Sequence, residues 1–81
     1  MNRRTLRRRL LDLGVREDSY DLSGTGNVDE AYVLIEEING WHVFYSERGL
    51  RTGEMNFKSE ERACEELEHR LTSDPTSQRF Y

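Results

Sequence analysis

Apolar positions recur along this chain in two distinct rhythms. Near the start, Leu6, Leu10 and Leu13 stand at i, i+4 and i+7 with Leu11 beside them. That spacing gathers one apolar stripe on a helix and predicts helical structure over residues 3–13. Gly14 supplies the stop, since glycine takes the left-handed conformation that closes a helix, and Val15 can fold back on the last turn as a hydrophobic cap. Residues 14–30 are mostly polar and hold Ser23-Gly24-Thr25-Gly26-Asn27, which reads as a loop.

From Ala31 the rhythm changes to that of strands. Ala-Tyr-Val-Leu-Ile-Glu-Glu-Ile (31–38) and Trp-His-Val-Phe-Tyr-Ser-Glu (41–47) are rich in β-branched and aromatic residues and are separated by Asn39-Gly40. These segments predict a β-hairpin closed by a type I′ turn, in which Asn and Gly adopt positive φ most cheaply. The implied register sets Ile38 opposite Trp41, Glu36 opposite Val43, Leu34 opposite Tyr45 and Tyr32 opposite Glu47, all on one face. Val33, Ile35, Glu37, His42, Phe44 and Ser46 fall on the other. A charged turn over 47–53 leads to a third strand, 52–57, with Met55 and Phe57 on one face. Ser59 is an N-cap, and Ala63, Leu67 and Leu71, with Cys64 beside them, form the buried stripe of a helix over 59–71. Glu60 and Glu61 suit its first turn, and His69 and Arg70 its cationic end. Asp74-Pro75 ends it, leaving a tail, 72–81.

The expected architecture is therefore α+β, in the order α-β-β-β-α: an antiparallel three-stranded meander with an N-terminal and a C-terminal helix on one sheet face. Eighty-one residues suit one domain, and a chain this short needs nearly every large apolar side chain for its core. Apolar residues on both hairpin faces leave one face without helices, which a homodimer or another protein could cover. Trp41, Phe44, Tyr45, Glu47, Arg48 and Arg51 are the candidate partner-binding residues, because aromatics and arginine dominate binding hot spots.

Charge alters this picture at one end. The chain is 35% charged, with a net charge of -4 and a mean hydropathy of -0.91. Residues 1–16 carry Arg3, Arg4, Arg7, Arg8, Arg9 and Arg16 against Asp12 alone, so they sum to +5 and leave -9 for the rest. Either the basic head is neutralised on folding or the protein has two surfaces of opposite preference. Arg3, Arg4, Arg7 and Arg8 lie along one flank of the first helix, where they could meet phosphates, so a small nucleic-acid-binding regulator is the competing reading. No run approaches the roughly 18 apolar residues of a membrane span, and the arginine-rich start lacks the apolar stretch of a secretion signal, so a cytoplasmic protein is expected.

Little here suits catalysis. Cys64 lies beside a buried stripe, and His42 and His69 belong to different elements, so no nucleophile, base and orienting group converge. Two distant histidines and a lone cysteine make no metal-ligand pattern, and no Gly-Lys-Ser/Thr closes the Ser23–Asn27 loop into a phosphate cradle. Neither a catalytic set, a metal nor a cofactor is expected.

The run Gly40-Trp-His-Val-Phe-Tyr-Ser-Glu-Arg-Gly49, followed by Phe57, Glu60, Glu61, Ala63 and Cys64, resembles small, uncharacterised bacterial proteins of actinobacterial type that look like immunity proteins of polymorphic toxin systems. With Gly14-Val15-x-Glu17-Asp18-Ser19-Tyr20, the likeness runs from about Leu10 to Leu71. It implies a protein that binds a cognate toxin domain in one-to-one complex and blocks it, often with acidic groups facing a basic toxin. The acidic body fits that expectation, and the basic N-terminal helix departs from it.

Overall fold

The computed structural model describes residues 1–22 and 29–74. It is an α+β fold with helices α1 (Arg3–Asp12) and α2 (Glu60–Ser73) and strands β1 (Tyr20–Asp21), β2 (Ala31–Glu37), β3 (Gly40–Glu47) and β4 (Leu50–Phe57). The four strands form one sheet in the order β1-β2-β3-β4. β1 is parallel to β2, and the other two pairings are antiparallel. The sheet is thus four-stranded and mixed, which corrects the expected three-stranded antiparallel meander. The added strand lies within 14–30, read from sequence as loop throughout. Two ladder residues, Tyr20 and Asp21, are too few to display an alternation. The Ser23–Asn27 loop itself falls outside the described residues. No helix of the described residues is long and apolar enough to cross a membrane.

α1 ends as its residues dictate. Gly14 has a φ of 77°, its N–H donates to Leu11 O at 3.1 Å and the Val15 N–H donates to Leu10 O at 3.0 Å. This pair of bonds is the Schellman motif, and it carries Val15 into full burial. α2 begins at Ser59, whose hydroxyl accepts the Arg62 N–H at 3.2 Å.

One core cluster joins both helices to the sheet: Leu6, Leu10 and Val15, Tyr20 and Leu22, Leu34 and Val43, then Ala63, Cys64, Leu67 and Leu71, with Met1, Tyr32, Trp41 and Phe57 packed around it. Leu34, Val43, Trp41 and Tyr32 therefore mark the helix-bearing face.

The hairpin register differs from expectation in an instructive way. Glu37 pairs with Gly40, Glu36 with Trp41, Leu34 with Val43 and Tyr32 with Tyr45, so the tight turn is centred on Ile38-Asn39 rather than Asn39-Gly40. The shift is two positions along the partner strand, and an even shift leaves every side chain on its expected face. The expected register would have set Glu36 against Val43. The observed one sets Leu34 against Val43, both fully buried, and brings the Tyr32 and Tyr45 rings to 4.9 Å edge-to-face. Cross-strand pairing in the core outweighs the local turn preference, at the cost of leaving Ile38 fully exposed at the tip. The type I′ requirement of positive φ at both central residues is met instead between β3 and β4, by Arg48 (52°) and Gly49 (77°).

β4 carries a bulge. Val43 pairs with Met55, but Tyr45 pairs with Thr52, so Gly53 and Glu54 together oppose Phe44. Gly53 has a φ of 62°, the left-handed glycine typical of such an insertion. In an unbroken strand Arg51 and Glu54 would point to opposite faces. The extra residue brings both to the face away from the helices.

Candidate functional site

That second face was expected to be apolar and open. It is apolar in part but not open, since Val33 is 0% exposed, Phe44 3% and His42 5%. The Arg51 guanidinium carbon lies 4.4 Å from the centroid of the Phe44 ring, within cation–π range. Its Nη1 and Nη2 donate to the two Glu37 oxygens at 2.9 and 3.2 Å, and Nη1 also to Glu54 Oε2 at 3.3 Å. His42 Nδ1 lies 2.6 Å from Glu54 Oε2, and Nε2 lies 2.8 Å from Asn39 Oδ1. A bonded network thus spans β2, β3 and β4 over an aromatic floor, where an open patch was expected.

Donor atoms of Glu37, His42 and Glu54 lie within 4.8 Å of one another, a combination of types that a divalent cation could use. Here Arg51 already bonds both carboxylates and supplies the positive charge such an ion would bring, so the cluster reads as a structural clasp. The hydrogen bond from Arg51 is the main cause that holds the Glu37 carboxyl below its ordinary value of 4.5, against an opposing effect of burial. A depressed folded value stabilises the fold in full above that ordinary value and ceases to do so as the pH falls through the folded one. Arg51→Gln is therefore expected to flatten the acid limb of the stability–pH curve below about pH 5. Urea titrations at successive pH values measure this, and an acid limb as steep in the variant as in the parent would contradict it.

The helix-bearing side holds a different arrangement. The Tyr32 and Tyr45 rings line a cleft of about 380 Å³ whose rim, among the described residues, carries Asp18, Asp29, Glu30 and Asp74 together with Arg16. Arg16 is itself engaged, its Nε and Nη2 donating to the Asp18 carboxylate at 3.1 and 2.8 Å. The Tyr32 hydroxyl donates to Asp74 Oδ2 at 3.1 Å. The Arg48 N–H donates to Asp29 Oδ1, which fastens the β3–β4 turn to the chain entering β2. Burial raises both tyrosine hydroxyls above their ordinary range. For Tyr32 the Asp74 hydrogen bond adds to it, and for Tyr45 the charges of Glu30, Glu47, Asp74 and Asp29 do. On its other side the same tyrosine pair borders a shallower hollow of about 540 Å³ that reaches Gly53, His69 and Arg70. A negative cleft walled by aromatic rings can take a cation through carboxylate bonds and ring faces together.

No protein-family model, no curated protein and no solved structure matches the chain. The site therefore stands on its own geometry.

The six candidate residues of the hairpin do not form one surface. Tyr45 walls the acidic cleft, and Glu47 and Arg48 stand exposed at the turn beside it. Trp41 lies at the far end of β3, half-buried, with the Arg3 guanidinium carbon 4.9 Å from its ring centroid. Phe44 and Arg51 belong to the clasp on the opposite face. Of the basic residues proposed for phosphate contact, Arg3 is committed inside the fold. Its N–H donates to Glu60 Oε2 at 2.9 Å, and its Nε lies 3.4 Å from the same oxygen. Arg4, Arg7 and Arg8 are exposed. Cys64 is fully buried, and burial, with the Glu60 charge next, pushes its thiol up to about 11, so it is held protonated and inert. The sequence reading missed Asp18, Asp29, Glu30 and Asp74 as a group. They come from three separate stretches of the chain, with only Asp29 and Glu30 adjacent, and differ in no local way from the other acidic residues.

Proposed function

We propose that this chain is a protein-binding module of the immunity type, which neutralises a cognate secreted toxin by stoichiometric binding from within the cytoplasm. The observation that carries the proposal is the cleft between Tyr32 and Tyr45, whose rim among the described residues holds four carboxylates and one guanidinium. It fits basic side chains presented by another protein, which matches the acidic-inhibitor pattern implied by the immunity-protein resemblance. The tyrosines offer large, rigid contact area with polar tips, and the carboxylates offer steering and register to a cationic partner. The net charge of -4 adds a long-range attraction of the same sign.

The test is co-expression with the product of the adjacent gene, followed by size-exclusion chromatography with light scattering. A one-to-one complex that weakens with added salt is expected. Asp18→Lys with Glu30→Lys, two exposed rim positions, should weaken it at least roughly tenfold while the free protein keeps its melting midpoint. A neighbouring product that does not bind, or a doubly substituted protein that binds as the parent does, would refute the proposal.

A further inference from the structure

We propose that the outward stripe of α1 formed by Arg4, Arg7 and Arg8 is a docking surface for the phosphate backbone of a nucleic acid. The two helices obey opposite electrostatic rules. α2 places Glu60 and Glu61 in its first turn and Arg70 in its last, as the helix dipole favours. α1 has no acidic residue in its first turn and carries Arg3 and Arg4 there. Arg7 and Arg8 also stand at i+3 and i+4 from Arg4, spacings at which like charges repel. Both features weaken the helix.

Folding compensates only part of this charge. Arg3 bonds Glu60, and Arg9 donates to the Glu68 carboxylate from Nε at 2.6 Å and Nη2 at 3.2 Å. Those two arginines flank the buried Leu6–Leu10 side and face α2. Arg4, Arg7 and Arg8 are exposed and form no ion pair among the described residues, although Arg7 borders a cleft that also holds Glu17 and Asp21 and the chain beyond residue 16 carries an excess of nine negative charges. A conformational cost that the fold leaves uncompensated is explained by a partner that compensates it.

The chemistry of the stripe favours phosphate over an acidic polypeptide. α1 offers no aromatic side chain, the anchor that protein hot spots typically need. It offers three guanidinium groups within about one helical turn of one another, each a planar fork matched to phosphate oxygens. A regularly charged backbone can be held by such a row without base contacts. This surface is separate from the acidic cleft, and either can fail without the other.

Fluorescence anisotropy of short, mixed-sequence, labelled oligonucleotides with the full chain tests the proposal. Three phosphate contacts predict that affinity falls roughly 40-fold on a duplex and roughly 20-fold on a single strand between about 50 and 200 mM salt. Arg4→Gln/Arg7→Gln/Arg8→Gln should abolish binding while leaving the melting midpoint unchanged or higher, because it relieves repulsion. Each single substitution should lower the salt slope by about one contact, which keeps the test valid if the triple variant does not fold. Arg9→Gln should bind as the parent does with a lower midpoint, since it loses the Glu68 pair. Absence of binding at about 20 mM salt, where counterion release favours it most, would overturn the proposal. So would a folded triple variant that binds as the parent does, or polyglutamate competing as well as an oligonucleotide of equal charge.

Discussion

Leu67→Ala is expected to lower the stability of this protein by about 2–5 kcal/mol, which for a chain of this size moves the thermal midpoint by roughly 8–40 °C. Leu67 is fully buried in the cluster where α2 meets Leu34 and Val43 of the sheet and Leu6 and Leu10 of α1. Its truncation opens a cavity among residues from four elements that cannot all close on it at once. A domain of 81 residues has a total stability of only about 4–12 kcal/mol, so the loss is a large share of the whole. Urea unfolding should show a lower midpoint with an unchanged slope. A loss under about 0.5 kcal/mol, the size of an ordinary surface substitution, would mean that α2 does not pack through this stripe.

Gly40→Ala is expected to be the other severe change, at about 2 kcal/mol or more. A Cβ at residue 40 would lie 2.7 Å from the Phe57 carbonyl oxygen, and the residue has a φ of +134°. The obstacle is backbone, so relief requires β4 to move away from β3 at the Trp41–Phe57 pairing. Gly49→Ala is the control. Gly49 also has a positive φ, +77°, but nothing lies within 4 Å of its built Cβ, so only conformational strain of about 1–2 kcal/mol remains. Chemical denaturation ranks the two, and fluorescence of the single tryptophan, Trp41, reports any opening of the β3–β4 end. An equal or larger effect at Gly49 would show that the approach of Gly40 to Phe57 is relaxed in solution.

The importance of Gly40 was legible from the chain, but for another reason. The Asn-Gly pair signalled a turn with positive φ at both residues, whereas the strand pairing moves the turn centre to Ile38-Asn39 and leaves Gly40 facing Phe57. The candidate site was less legible. Tyr45 was singled out as a hot-spot residue, but it walls a cleft with Tyr32, Asp18, Asp29, Glu30 and Asp74. Those come together through the pairing of β2 with β1 and β3 and the end of α2, and no local spacing announces such a meeting.

The positions of the helices, the Gly14 stop, the Ser59 cap and the allotment of hairpin side chains to faces were all local properties of the chain, because each depends on residues a few positions apart or on a period of two that survives an even slip. Of the leucines assigned to the stripe of α1, however, only Leu6 and Leu10 are buried, while Leu11 and Leu13 are exposed. The parallel β1 pairing, the Gly53 bulge that lets Arg51 and Glu54 share a face, and the gathering of carboxylates around two tyrosines required the folded molecule. These arise from contacts between distant segments, where burying Leu34 against Val43 and satisfying charged groups on the sheet outweigh the conformational preference of any single residue.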